Sequence, residues 1–545
     1  MKQSFTLLLL ILVFIKNSAQ SQSTIQWQKS LGGSGEEMAK CIRPTTDGGY
    51  IIAGHTHSVN GDITSNHGDD DYWIVKINST GTIEWEKSFG GSYSDDAESI
   101  QQTPDGGYIV LGTSLSPDGD VTNHHGGNNL RNDYWIVKLS STGDLKWQKS
   151  LGGSGDDFAE SMQPTADGGY IVAGWTNSTD GDVTGNHGDY DGWIVKLNRT
   201  GSIEWEKSIG GSGTDRAWCV QQTIDGGYIV AGSSSSNDGD VTNNHGGEDF
   251  WIVKLNGKGG IQRQKCFGGS RDDLAFSIQQ TADSGYIVAG RSASSDGDVS
   301  GNNANEDYWI VKLDAGLKIE WQNNFGGGAN DDPYSVQQTS DGGYIVAGYT
   351  ESDNDDVTGY HCISDGWVLK LSNMGNLQWQ KTLGGSGADY SQWVQQTSDE
   401  GYIIAGFSYS IDGDVADNHG DYDYWIVKLS PDNILPLQLT AFDAKQYNNT
   451  VACSWNTIQK QNTSAFIIEY STNAAAFTKI GTVSATGNSN NTGSYTFTHK
   501  NPQNGINYYR LKMVDADGKF TYSNVVSATV TIGISHSKHI QILPR

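Results

Sequence analysis

The sequence predicts an all-β chain: a seven-bladed β-propeller followed by an immunoglobulin/fibronectin-type β-sandwich. Three repeated phrases predict the propeller. GGYIVAG or a near variant recurs with its Tyr at 50, 108, 170, 228, 286, 344 and 402. DYWIVKL and its variants place Trp at 73, 135, 193, 251, 309, 367 and 425. IEWEKSLGG places Trp at 27, 85, 147, 205, 321 and 379, with Arg263 in the fifth place. Five of the six Tyr intervals are 58 residues and one is 62, because GGNNLRND precedes Trp135. A fixed period of this length marks one supersecondary unit per repeat.

Each unit reads as four strands. In the second repeat they are AESIQQT at 97–103, GYIVLGT at 107–113, DYWIVKL at 133–139 and DLKWQKSL at 144–151. The runs are rich in Tyr, Trp, Ile and Val, and Gly, Asp, Asn and Ser separate them. Asp105-Gly106-Gly107 supplies the positive φ that a tight hairpin needs. The near-continuous apolar run of YWIVKL suits a strand covered on both faces. Four antiparallel strands, seven times over, fit a propeller. The array opens on a fourth-type strand and ends on a third-type strand. Residues 25–31 are therefore expected to pair with 423–429 and close the ring, removing the exposed edges. The propeller spans 25–430.

From residue 436 the repeat stops. Residues 436–530 hold about seven strand candidates, among them TVACSWNTI, AFIIEYS and NYYRLKMVD, and read as the sandwich. Residues 531–545 form a tail. At the other end, Lys2, the apolar run 7–15 and Asn17-Ser18-Ala19 read as a signal peptide over 1–19. That run is short for a bilayer span, and no other segment approaches the needed length. The formal net charge of −28 disfavours nucleic acid and anionic membranes as partners. The five Cys are odd in number and widely spaced, with no CxxC, so neither a disulfide framework nor a zinc site is expected.

With a Trp on the outer strand, the order resembles the quinoprotein-like and WD-repeat propellers. The words DGGYIVAG, DGDV…NHG…DYWIVKL and W.KSLGGS resemble more closely the large secreted repeat proteins of Gram-negative bacteria that use type IX secretion, over 25–430. LPLQLTAFDAK, SWNT, FIIEYS and NYYRLKMVDADGKFTYSNVV resemble the fibronectin-type module that precedes a type IX sorting domain. The resemblance implies an extracellular or cell-surface location. HIQILPR at 539–545 resembles only the first residues of a sorting domain, so a periplasmic end-point is the alternative expectation.

The second-to-third connection repeats an acidic word ending at Asp62, Asp120, Asp182, Asp240, Asp298, Asp356 and Asp414. A His follows at 67, 125, 187, 245, 361 and 419, and the fourth-to-first connection adds Glu37, Asp95, Asp157, Asp215, Asp273, Asp331 and Asp389. Both acidic sets are expected on one negative face. Calcium suits such oxygen donors, which makes the seven loop Asp candidate ligands. Self-hydrogen-bonded turns are the other reading, and apart from calcium no cofactor is expected.

No catalytic residue is expected. No GxSxG elbow appears, and the acids recur once per repeat rather than as one unlike pair. Trp218 and Trp393 depart from their repeat positions and are the candidate ligand-stacking residues. The expected function is a monomeric, non-catalytic binding or adhesion protein that takes a glycan or an extracellular or cell-surface protein. The alternatives are a propeller enzyme, acting on polysaccharide or dependent on a quinone, and a structural display scaffold.

Overall fold

The computed structural model describes residues 23–126, 130–302, 305–432, 438–458, 463–485, 493–515 and 520–531. The expected leader at 1–19, and the tail beyond 531, lie outside the described residues. All named elements are strands, and among the described residues no helix is long and apolar enough to cross a membrane. The chain divides into a unit spanning Gln22–Asp432 and a C-terminal unit from Asn433 onward.

The larger unit is built from seven four-stranded antiparallel sheets. The first strands are Glu37–Pro44, Asp95–Gln102, Asp157–Pro164, Asp215–Gln222, Asp273–Gln280, Asp331–Gln338 and Asp389–Gln396. Third strands, such as Asp71–Ile77, are buried at every residue, and so are second strands such as Tyr50–Thr56, apart from half-buried Trp175, Arg291 and Tyr349. Both faces of such a strand meet a neighbouring sheet, which is why YWIVKL lacks alternation. The fourth strands, such as Ile83–Phe89, keep an exposed outer stretch.

First strand touches first strand all the way round, and that of the seventh sheet touches that of the first. The first strands therefore surround a common axis in a propeller-like ring. Its core is not one mass. A separate apolar cluster fills each junction, including the one that joins Ile403 and Ile426 of the last sheet to Ile42 and Trp73 of the first.

The seventh sheet takes its fourth strand from the start of the unit. Ile25–Leu31 pairs antiparallel with Asp423–Leu429, from Ile25 opposite Leu429 to Leu31 opposite Tyr424. The side chains follow suit. In each sheet the buried third-strand Trp donates its Nε1–H to a fourth-strand Glu or Gln, as Trp73 does to Glu86 at 2.9 Å. In the last sheet Trp425 donates to Gln28 at 2.9 Å. Tyr72 donates from its hydroxyl to the Trp135 carbonyl of the next sheet, and Tyr424 does the same to Trp73, from last sheet to first. The third-strand Lys reaches back to the Asp of the DGG turn, as Lys76 does to Asp47 at 3.0 Å.

The C-terminal unit has two antiparallel sheets. One joins Gln438–Tyr447, Thr450–Ile458 and Gly493–His499. The other orders Thr478–Ser484, Thr463–Ser471, Gly505–Asp515 and Phe520–Tyr522, with Val526–Val530 also on Gly505–Asp515. Residues from both sheets share one core around Trp455, Phe466, Tyr495 and Leu511.

Candidate functional site

The seven first strands carry the same irregularity. Each pairs with its second strand in a register that slips by one, leaving a residue without a partner: Lys40, Glu98, Glu160, Trp218, Phe276, Tyr334 and Gln392. The last glycine of GGYIVAG permits this. At Gly54 a Cβ would fall on the carbonyl oxygen of Met38, and the other six repeats match. A bulge re-aims the side chain it carries. Bulge residues and those two before them are mostly half-buried between buried neighbours, as Met38 and Lys40 are on either side of Ala39. On strands that surround the axis, that side is the channel.

The bulge ring is not symmetric. Lys40, Glu98 and Glu160 occupy three consecutive sheets, and Trp218, Phe276 and Tyr334 the next three. Two residues earlier along the first strands a second ring meets the ends of the second strands: Met38 opposite His55, Phe158 opposite Trp175, Asp332 opposite Tyr349, Tyr390 opposite Phe407. Together the rings build a run of aromatic contacts. Ring centroids are 4.6 Å apart for Trp175–Trp218, 5.4 Å for Trp218–Phe276 and 5.8 Å for Phe276–Tyr334. The run continues at 5.9 Å for Tyr334–Tyr349, 5.0 Å for Tyr349–Tyr390 and 4.8 Å for Tyr390–Phe407.

The remaining wall is charged. His55 Nδ1 lies 2.7 Å from Asp96 Oδ1, off the line of an ideal hydrogen bond, and Nε2 lies 3.7 Å from Glu36. Burial alone would depress this imidazole, but the two carboxylates outweigh it and raise it to about 9. Burial pushes the Glu98 carboxyl up, with Lys40 opposing. Burial and then the Glu98 charge push Glu160 up further. The Glu98 charge in turn raises Lys40. On the aromatic side, Asp332 Oδ2 accepts from Arg291 and from the Tyr349 hydroxyl, both at 3.2 Å. Its Oδ1 is buried with no partner among the described residues, and burial pushes this carboxyl up to about 6.

The two predicted Trp residues keep different company. Trp218 belongs to the bulge ring. Trp393 stands one residue past its own bulge, packs against the apolar clusters on both sides of the first sheet, and carries Arg43 over its ring at 4.0 Å. Sequence reasoning missed Lys40, Glu98, Glu160, Phe276 and Tyr334. The signal was there: superposing the seven repeats on their GGYIVAG words exposes one slot that reads Lys, Glu, Glu, Trp, Phe, Tyr, Gln, while the position two residues on stays apolar throughout.

Of the two acidic sets expected on one negative face, the fourth-to-first set does not reach the surface. Glu37, Asp95, Asp157, Asp215, Asp273, Asp331 and Asp389 are fully buried. Each cements a turn, as Asp157 does by accepting from Gly153 N at 2.8 Å, Ser178 Oγ at 2.9 Å and the Thr176 hydroxyl. Asp62, Asp120, Asp182, Asp240, Asp298, Asp356 and Asp414 sit one per sheet. Each donates its backbone N–H to the glycine that follows a fourth strand, as Asp62 does to Gly32 at 2.9 Å. The loop His residues bond the first residue of the third strand, His67 Nδ1 lying 2.6 Å from Asp71. Among the described residues no group of three or more His, Cys, Asp or Glu is placed to hold a metal ion.

No protein family and no curated protein matches this sequence. Among solved structures, a GH43_12 retrieved from capybara gut metagenome aligns at 11% identity and a TM-score of 0.26, covering 94% of this chain and 92% of that one. The tail fiber of Staphylococcus aureus phage P68 aligns at 9% identity and a TM-score of 0.16, covering 65% and 96%. Similarity this slight bears on neither chemistry nor ligand.

Proposed function

We propose that this chain is a non-catalytic, exported binding protein: a seven-bladed β-propeller that holds a glycan in its channel mouth, joined to a fibronectin-type sandwich. One observation carries the glycan reading. The seven repeats keep a common framework but differ at the axis-facing positions, the bulge slot and the ring two residues before it, and there the substitutions gather into an aromatic wall and a polar wall. Sugar rings offer an apolar face and a rim of hydroxyls. Aromatic rings suit the first and carboxylates suit the second. Placement on the cell surface or outside the cell follows the leader and the type IX-like words. A glycan array probed with the full chain tests the reading, with Trp218→Ala as control. Binding that W218A reduces about tenfold or more supports it, and a blank array against a positive control ends it.

A second reading, hydrolysis of a polysaccharide, draws on Glu160. A carboxyl that burial pushes well up, set beside a second acid, is the kind of pairing a general acid and its partner require. Release of reducing ends from polysaccharide, lost in Glu160→Gln, would replace the non-catalytic reading.

A further inference from the structure

We propose that the channel ligand is a cationic glycan, a chain of amino sugars with free amines; this rests on the glycan reading above and names the sugar. The polar wall carries four acidic side chains, Glu36, Asp96, Glu98 and Glu160, and two bases, Lys40 and His55. Glu98 and Glu160 are bulge residues aimed at the axis, and neither accepts a hydrogen bond among the described residues. Carboxyls left without donors on the axis-facing side match a ligand that brings its own, and charged donors make the stronger bonds. Facing them, Trp218, Phe276 and Tyr334 offer π faces, which attract a cation as well as an apolar sugar face. Asp332, 4% exposed, adds an unpartnered carboxylate oxygen on the aromatic side.

The same wall selects against other partners. Uronic acids and sulfated sugars would set further negative charge among these four acids. A basic peptide would bring suitable charge, but peptides gain much of their hold by adding to a free strand edge. Here several inner edges are already served by the neighbouring sheet. Gln222 N–H donates to Gln163 at 2.6 Å and Gln280 N–H to Gln221 at 2.6 Å. Val220 and Val336 donate to Ser161 and Ser277, both at 3.2 Å. What remains open is side-chain chemistry, suited to ring-by-ring contact.

The test is calorimetric titration of the full chain, at mildly acidic pH, with oligomers of glucosamine, of N-acetylglucosamine and of glucose, and with oligolysine of matched charge. Glucosamine oligomers are expected to bind at least about tenfold more tightly than the N-acetylated ones. Binding should release protons as the cation draws the Glu98 and Glu160 carboxyls into their ionised form. The Glu98→Gln/Glu160→Gln pair should abolish both the preference and the proton release while leaving the melting temperature close to the unmodified value. If acetylated or glucose oligomers bind as tightly, the cationic inference fails and the glycan reading stands. If no sugar binds, both fail. If oligolysine binds as well as oligoglucosamine, the site reads charge alone and the inference is overturned.

Discussion

Arg43 lies over the ring of Trp393, 4.0 Å from its centroid, and joins the first sheet to the last. Elsewhere this seam position holds Ser or Cys, and the position of Arg43 holds Gln. Those residues tie neighbouring first strands with side-chain-to-backbone bonds, as Ser335 and Gln337 do to Val394 at 3.3 Å and Gln396 at 2.7 Å. Where the last sheet of the larger unit meets the first, a stacked cation and an indole stand in place of that ladder. The side-chain oxygen Oε1 of Gln395 there is buried without a partner among the described residues.

Trp393→Ser is therefore expected to destabilise the ring by about 3 kcal/mol, because a large ring packed on two clusters is removed. Arg43→Gln alone should cost about 1 kcal/mol, the worth of a partly desolvated cation–π pair. The double variant should cost less than the sum, since each single substitution already removes the one cation–π pair that both values include. Melting temperatures of the four proteins measure this. Strict additivity would mean that the two residues do not act as a pair.

The buried acids make stability depend on pH, and the direction can be worked out. Burial holds Asp95 and Asp157 at about 7, and Asp249 and Asp365 at about 6. All four are raised, so the folded chain binds more protons than the unfolded chain between their ordinary value and these values. Stability then falls as pH rises through that window, by about 1.4 kcal/mol per pH unit for each group at most. His55, raised to about 9, acts the same way: its contribution is complete below its ordinary value and is lost as pH passes 9. Asp47 and Asp167, lowered to about 2, matter only in strong acid. The melting temperature should therefore drop steadily from pH 5 to pH 9. Asp95→Asn should flatten the slope between pH 5 and pH 7, and a rising curve would refute the assignment.

The framework was legible because its residues repeat. Trp73 and its six equivalents are buried for one reason in seven places, so their spacing shows directly in the chain. Likewise, the missing outer strand at Leu429 pointed to the spare one at Ile25. The channel was not legible in that way. Its residues share a position and no chemistry, so a search for repeated words passes over Lys40, Glu98 and Phe276. Nor does the chain announce the bulge that aims them, which comes from Gly54 and its equivalents, residues that look like ordinary punctuation. Glu37 and its equivalents misled for the opposite reason. They recur as a surface rim would, but they recur because every turn needs the same buried acceptor.

Removing residues 23–31 should open the ring. The seventh sheet would lose its outer strand, the Trp425 indole its acceptor Gln28, and the Asp423–Leu429 strand one ladder of backbone bonds. The exposed edge is a template for association. The shortened chain should melt at lower temperature and aggregate, and a synthetic peptide of residues 23–31 should restore part of both in trans. An unchanged melting curve would show that the strand adds nothing to closure.

Calcium at Asp62, Asp120, Asp182, Asp240, Asp298, Asp356 and Asp414 is open to a direct test. Against it, the acidic loops already hold themselves: Asp180 accepts from Ser154 N at 2.7 Å, and Asp182 bonds Gly152 through its backbone at 2.8 Å. For it, Asp71, Asp133, Asp191 and Asp423 each keep one buried carboxylate oxygen without a partner among the described residues, close to the same turns. A site filled at a hundredfold excess of ion over its Kd adds about 2.7 kcal/mol, and seven sites would make the effect unmistakable. The packing favours self-sufficient loops. Chelated protein should melt at the same temperature with and without millimolar calcium, and Asp180→Ala should cost about 1 kcal/mol in either condition. A calcium-induced rise of many degrees that disappears in Asp182→Asn and Asp240→Asn would instead make these seven carboxylates ligands. It would also reverse the pH dependence, because a bound cation holds the neighbouring acids ionised.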